Sequence, residues 1–257
     1  MKILVCIKQV RDDTSPIMIG SEGKDYLDDG NTVFRMNRLD EYALEEAILI
    51  REKNKGIVVD AVSVGPDRAR AVVRKALEKG ADNGFHIVTG EAAYAPPLVT
   101  AALLASFARS GDYDLILTGV MSEDDMNGQT GSMLAGFLGL PCAVSVIEEE
   151  INGNAFIDVT SELEGGMREQ AVISMPCVLT IQSGINRPRY PSLSNVLRAK
   201  TQEIITRDGT EQAEQDGGMA QVTLSYPVKT GRGIILDGTP EEKAIQLLDI
   251  LHEKALV

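Results

Sequence analysis

Along the first two-thirds of the chain, apolar and polar positions switch between two periods. KILVCIK opens as a buried strand. NRLDEYALEEAILIREKN then sets Leu39, Ala43, Ala47 and Ile50 on one side of a helix, with Asn37 as cap and Asp40 and Glu41 suited to its first turn. IVVDAVSV is a strand ending at Gly65-Pro66, and a helix runs from Asp67 to Lys79 until Gly80 stops it. FHIV is a short strand, and APPLVTAALLASFARS is a helix opened by prolines. DLILTG is a strand, a polar loop follows it, and GSMLAGFLGL is a helix. Strands alternating with helices of this length imply parallel crossovers. The expected fold is therefore α/β, a doubly wound and mostly parallel sheet.

After Pro141 the pattern changes. CAVSVIEEE, AFIDVTSELEGG and REQAVISMP are closely spaced strand candidates, with Asn152-Gly153 as a hairpin turn. CVLTIQ is a further buried strand, and SGINRPRYPSLSNVLRAKTQEI is a loop with a short helix. Residues 207–238 are rich in Gly, Asp and Gln and read as an extended arm. The last helix carries a complete start signal: Thr239 as cap, Pro240 at the first position and Glu242 closing a capping box. The expected division is an α/β domain over 1–206 and an arm with its helix over 207–257. Pattern alone allows that helix to dock on another surface or to fold back on its own domain.

Composition narrows the function. Apolar residues make up 44% and charged residues 25%, as in an ordinary globular protein, but the formal charge is −13. That disfavours nucleic acid or an anionic membrane as the main partner, since both need a basic surface. No apolar run approaches the roughly 20 residues of a membrane span, and the first residues read as a strand, not a signal peptide. Cys6, Cys142 and Cys177 form no Cys-x-x-Cys pair, which fits a reducing cytoplasm and argues against a disulfide framework. His86 and His252 are too far apart to suggest a histidine-based metal or acid–base site.

The loop in MSEDDMNGQTGSMLAGFLGLP sits where open α/β sheets bind ligands, beyond the carboxyl end of a strand. Gly128 and Gly131 allow close backbone approach, and Gln129 and Thr130 add neutral donors at the start of a helix. Helix N-termini attract phosphate through free N–H groups and the dipole. Glu123, Asp124 and Asp125 oppose a bare phosphate beside them, so they are expected to face ribose hydroxyls, a base amino group or solvent. The plainer alternative has Asp124, Asp125 and Asn127 capping the helix in water. There is no G-x-x-x-x-G-K-[ST] and no G-x-G-x-x-G after the first strand. A nucleotide held here without lysine, metal cluster or nucleophile would be bound and not broken, and no enzyme activity is expected.

Several stretches together resemble the β subunit of electron-transfer flavoprotein. They are ILVCIKQV, MNRLDEYALEEAI, AVSVGP, KALEKGAD, DDMNGQTGSMLAGFLGLP and INRPRYPSLSNVLRAKTQEI, in order over nearly the whole chain. The resemblance implies a heterodimer with an α subunit that holds most of an FAD, while the β subunit buries an AMP as structure. By position the AMP would touch Cys6, the stretch Asn37, Arg38, Leu39 and Asp40, then Val64, and the loop from Gly119 through Asp124, Asp125, Met126, Asn127, Gly128, Gln129 and Thr130. It also implies a recognition loop over 184–200, with Tyr190 in its signature and Leu193 as apolar anchor for an acyl-CoA dehydrogenase-type donor. Glu162 would pair across subunits, and the arm and last helix would clasp the α subunit. Electrons would pass to a membrane-bound quinone oxidoreductase-type acceptor, this chain being itself outside the membrane. Two departures stand out: Gly119-Val120-Met121-Ser122 where the family often writes Gly-[Lys/Arg]-Gln-[Ala/Ser], and Asp12, Asp13 and Thr14 near the expected flavin. Some relatives bifurcate electrons with a second FAD in place of AMP; the QTG stretch is closer to the AMP type. A stand-alone nucleotide-binding protein of the universal-stress type shares the architecture and is the alternative from another class.

Overall fold

Strand β1 (Lys2–Cys6) is buried on both faces and divides its side chains by the two-residue period of a strand. Ile3, Val5 and Ile7 join one apolar cluster, and Leu4 and Cys6 join the other. The first cluster includes residues of α1 (Arg38–Lys53), α2 (Arg70–Lys79) and α5 (Leu193–Thr201), and the second those of α3 (Pro97–Ala108) and α4 (Thr130–Leu138). Helices therefore cover both faces of the sheet, as the doubly wound expectation requires.

The computed structural model describes residues 1–23, 26–27, 30–90, 95–153, 155–210, 223–228, 231 and 233–256. Among them the remaining main-sheet strands are β6 (Val58–Gly65), β7 (Asn83–Val88), β8 (Leu115–Gly119), β9 (Cys142–Asn152), β10 (Phe156–Glu162), β11 (Arg168–Ser174), β12 (Cys177–Ile181) and β13 (Ile204–Asp208). Their order is β11-β10-β9-β12-β8-β1-β6-β7-β13. From β9 to β13 along that order neighbours run parallel, while β10 and β11 add an antiparallel extension. The chain leaves β1 through α1 to β6 on one side, and later reaches β8 on the other. The carboxyl ends of β1 and β8 thus flank the switch point of the sheet.

Some elements differ from the pattern-based expectation. β13 lies where a loop and the start of the arm were expected; only Ile204 of its five residues is buried, so no apolar alternation marks it. β7 begins two residues before FHIV. Between β1 and α1, β2 (Gln9–Arg11) pairs with β5 (Phe34–Met36), and β3 (Met18–Ile19) with β4 (Tyr26–Leu27). These ribbons are too short to carry a periodic signal.

The chain divides into two compact units, Met1–Thr223 and Leu224–Val257. Much of the expected arm, residues 211–222 with 229, 230 and 232, lies outside the described residues. In the second unit the helix Pro240–Glu253 has its capping box: Thr239 Oγ1 accepts from Glu242 N–H, and Glu242 Oε2 accepts from Thr239 N–H. Among the described residues no helix is long and apolar enough to cross a membrane.

The core also holds one deep carboxylate. Asp60 on β6 is fully buried; Tyr113 Oη donates to it at 2.8 Å, Asn83 Nδ2 at 2.8 Å, and Lys2 Nζ lies 3.0 Å away. Removing one partner of such a group strands the rest without water. Asp60→Ala is expected to lower unfolding free energy by about 3–5 kcal/mol in denaturant titration; a loss under about 1 kcal/mol would show that these bonds do not hold the sheet.

Candidate functional site

The site begins with one carboxylate in the first turn of α1. Asp40 Oδ2 accepts the Lys8 N–H at 2.7 Å, just past β1, and Oδ1 accepts the Gly119 N–H at 3.0 Å, at the end of β8. It therefore bonds across the switch point. A Cβ on Gly119 would stand 2.5 Å from Asp40 Oδ1 and 2.8 Å from the Leu39 carbonyl carbon, so only glycine fits this approach. Burial pushes the Asp40 carboxyl up to about 7, against the pull of the Lys8 and Gly119 N–H groups.

Asn37 occupies the cap position of α1, yet its side chain caps nothing. Its Nδ2 donates to the Met121 carbonyl at 2.9 Å, and its Oδ1 accepts the Glu123 N–H at 3.1 Å. The expected cap is thus a clasp on the loop after β8. The loop acids have cations within the chain. Glu123 meets Arg35 Nη1 at 2.6 Å and the Arg38 N–H at 3.1 Å. Asp124 and Asp125 meet Lys8 Nζ at 2.7 and 3.1 Å. Asp125 Oδ1 further accepts from Ser122 Oγ at 2.8 Å and from the Asn127 N–H at 3.1 Å. These acids pair with cations from other segments and so fold the loop, while Asp125 also lines the cleft above Asp40.

Above Asp40 lies a cleft open to solvent, lined from the end of β1, α1, β8, α3 and the loop that leads into α4. The α4 N-terminus stands at this cleft. Gln129 occupies the cap position without a side-chain cap bond, so that side chain does not engage the first N–H groups of the helix. Gly131 brings them close: a Cβ there would lie 2.5 Å from Thr180 Cγ2 and 2.7 Å from Thr118 Oγ1. Val64, Pro97 and Leu104 give the cleft an apolar wall. The Cys6 thiol is pushed up by burial and by Asp40, which keeps it protonated and unreactive. Among the described residues no group of His, Cys, Asp and Glu could hold a metal ion.

Of the site residues named from sequence, Cys6, Asp40, Val64, Gly119, Asp125, Asn127, Gly128, Gln129 and Thr130 line the cleft. Asn37, Arg38, Leu39, Asp124 and Met126 are not on its wall; the first two and Asp124 brace the loop instead. No lysine was expected at the site, yet Lys8 lines the cleft. Pro97 and Thr100 of α3 also escaped it, although a helix that follows a parallel strand must start at the same sheet edge.

Tyr190, Leu193 and Glu162 stand away from the cleft. Tyr190 is 95% exposed and Leu193 76% exposed. The segment before them is fastened to α1: Arg189 Nε bonds the buried Glu45 at 3.0 Å, its Nη1 bonds Glu52 at 2.5 Å, and Asn186 Nδ2 bonds Glu46 at 2.7 Å. Glu162 is exposed at the end of β10, opposite Arg168 in the ladder.

A family model described as the electron transfer flavoprotein domain matches residues 27–212. The chain is 34% identical over 261 residues to an electron transfer flavoprotein subunit beta of Methylophilus methylotrophus, with 98% of each chain covered. It is 32% identical to the Bacillus subtilis subunit beta, covering 100% of both, and 31% identical to the Homo sapiens one, covering 97% of this chain and 98% of that one.

The Asp40 environment gives a signed pH effect. A carboxyl whose folded value is raised from 3.8 to about 7 keeps its proton longer in the native state than in the unfolded one. Its contribution to stability therefore falls as pH rises from about 4 to about 7 and is level above that. Relative to Asp40→Asn, the wild-type chain is expected to lose on the order of 4 kcal/mol across this window in chemical denaturation. A flat or rising difference would contradict a desolvated carboxyl at this position.

Proposed function

The chain belongs to the electron transfer flavoprotein family as a β subunit, and from that premise we propose that its cleft holds AMP as a structural part. Membership implies association with a flavin and with an α subunit. In this proposal the FAD, held mainly by the α subunit, takes up and gives out the electrons. This chain binds and orients and breaks no bond. The observation that carries the adenylate assignment is the join of two features: a cleft pinned open by Asp40 at the switch point, and the uncapped start of α4 at its edge. The α4 N–H groups with Gln129 and Thr130 would take the phosphate. Val64, Pro97 and Leu104 would take the adenine. A bound adenylate would stabilise the fold by linkage.

The remaining parts of the proposal concern partners. Electrons come from an acyl-CoA dehydrogenase-type donor and go to a membrane-bound quinone oxidoreductase-type acceptor, and the complex works in the cytoplasm. Leu193 and Tyr190, exposed on a segment that Arg189 fastens to α1, form the donor's landing point. An exposed apolar anchor of this size suits a weak, fast-exchanging contact. Glu162 pairs across subunits, and residues 207–257, set apart from the α/β domain of residues 1–206, clasp the α subunit.

Denaturing the native complex of this chain with its α subunit is expected to release AMP and one flavin per heterodimer, read by chromatography and mass spectrometry. Two flavins and no AMP would instead mean a second FAD in the cleft. ATP on a chain that purifies without any partner would mean the universal-stress type. In a separate test, Leu193→Ala is expected to slow electron transfer from the dehydrogenase by about tenfold, the loss typical of a buried interface anchor, with flavin content kept. Lost flavin with unchanged transfer would refute the anchor.

A further inference from the structure

The loop acids raise a question that loop folding alone does not answer, because they gather around the one lysine that lines the cleft among the described residues. A lysine at a nucleotide site ordinarily reaches the outer phosphates of a di- or triphosphate. Here the ammonium of Lys8 has three hydrogen-bond donors and three acceptors inside the chain: Asp124 at 2.7 Å, Ser122 Oγ at 3.0 Å and Asp125 at 3.1 Å. No Lys8 N–H remains for a guest. Lys8, Asp124 and Asp125 together carry a net charge of −1, and both Lys8 and Asp125 face the cleft. Glu123 stands outside this group, since its carboxylate engages Arg35 and Arg38.

We propose that Lys8, Asp124 and Asp125 form a charge filter that restricts the cleft to guests with a single phosphate. This rests on the adenylate reading above and adds the basis of its selectivity. The neutral N–H groups at the start of α4, with a helix dipole worth about half a charge, suffice for one phosphate monoester. Each further phosphoryl group adds negative charge beside a wall that is itself negative and whose lysine is committed. In a partly buried site one such like-charge encounter weakens binding by on the order of tenfold. The filter works without a base contact, so it should treat other nucleoside phosphates by the same rule.

The test uses the heterodimer stripped of nucleotide and titrated calorimetrically with AMP, ADP and ATP, without divalent cations. In the wild type, affinity is expected to fall from AMP to ADP to ATP, with AMP at least about tenfold tighter than ATP. Raising the salt concentration should shrink that gap, because these side chains are partly exposed and therefore screened. Asp124→Asn, which removes one charge from a residue bonded to Lys8, should narrow the AMP-to-ATP ratio. Lys8→Gln, which leaves both acids without their cation, should widen it. ATP binding within about threefold of AMP in the wild type would overturn the inference, as would a ratio that neither salt nor Asp124→Asn moves. Should Lys8→Gln fail to fold, the salt series and Asp124→Asn still decide. If AMP itself did not bind, the adenylate reading would fall and the filter with it; if AMP bound and the ratio stayed near one, only the filter would fall.

Discussion

One buried carboxylate bonds across the place where the sheet reverses its order. Asp40 receives an N–H from the chain just past β1 and another from the end of β8, and it does so from the first turn of α1. A carboxylate at a helix N-terminus is favoured by the dipole, and two backbone donors offset part of its desolvation. The same contact requires Gly119 to lack a Cβ. Fixing these strand ends leaves a cleft between the N-terminal ends of α3 and α4, and the loop between β8 and α4 has to close over it. That loop is itself held from α1, through Asn37, and by ion pairs that spend every one of its acids on a cation from another segment.

The same helix carries a second duty farther along its length. Glu45 and Glu46 are buried acids on α1, and with Glu52 they receive Arg189 and Asn186. A charge-assisted, bidentate contact of this type sets geometry as well as energy. It holds the segment that displays Tyr190 and Leu193. One rigid element thus organises the cleft and the exposed surface through separate residues, with no need for a mobile connection between them.

The parts of this arrangement that were legible in the sequence are those with a local signal. β1, β6 and β8 read as apolar runs, the crossovers followed from their alternation with helices, and Gly128, Gly131 and Thr130 marked a backbone site by composition. The cap position of Asn37 was legible, but its use was not, because a cap and a clasp on a distant loop demand the same residue type. Lys8 and Asp124 are 116 residues apart. No spacing rule joins them, and only the adjacency of β1 and β8 does. β13 escaped because an edge strand with one buried residue has no period to read. The family resemblance supplied part of the cleft wall, but a residue-type match could not show that the lysine beside it was already engaged.

The central claim is that the backbone from Gly119 to Ser132, pinned by Asp40, grips an adenylate. Hydrogen–deuterium exchange on the nucleotide-stripped heterodimer, with and without AMP, tests this most directly. Amides at the start of α4 and at the end of β8 should gain protection when AMP is added, more than any other segment of this chain. Unchanged exchange from residue 119 to 132, or protection concentrated elsewhere, would contradict the account.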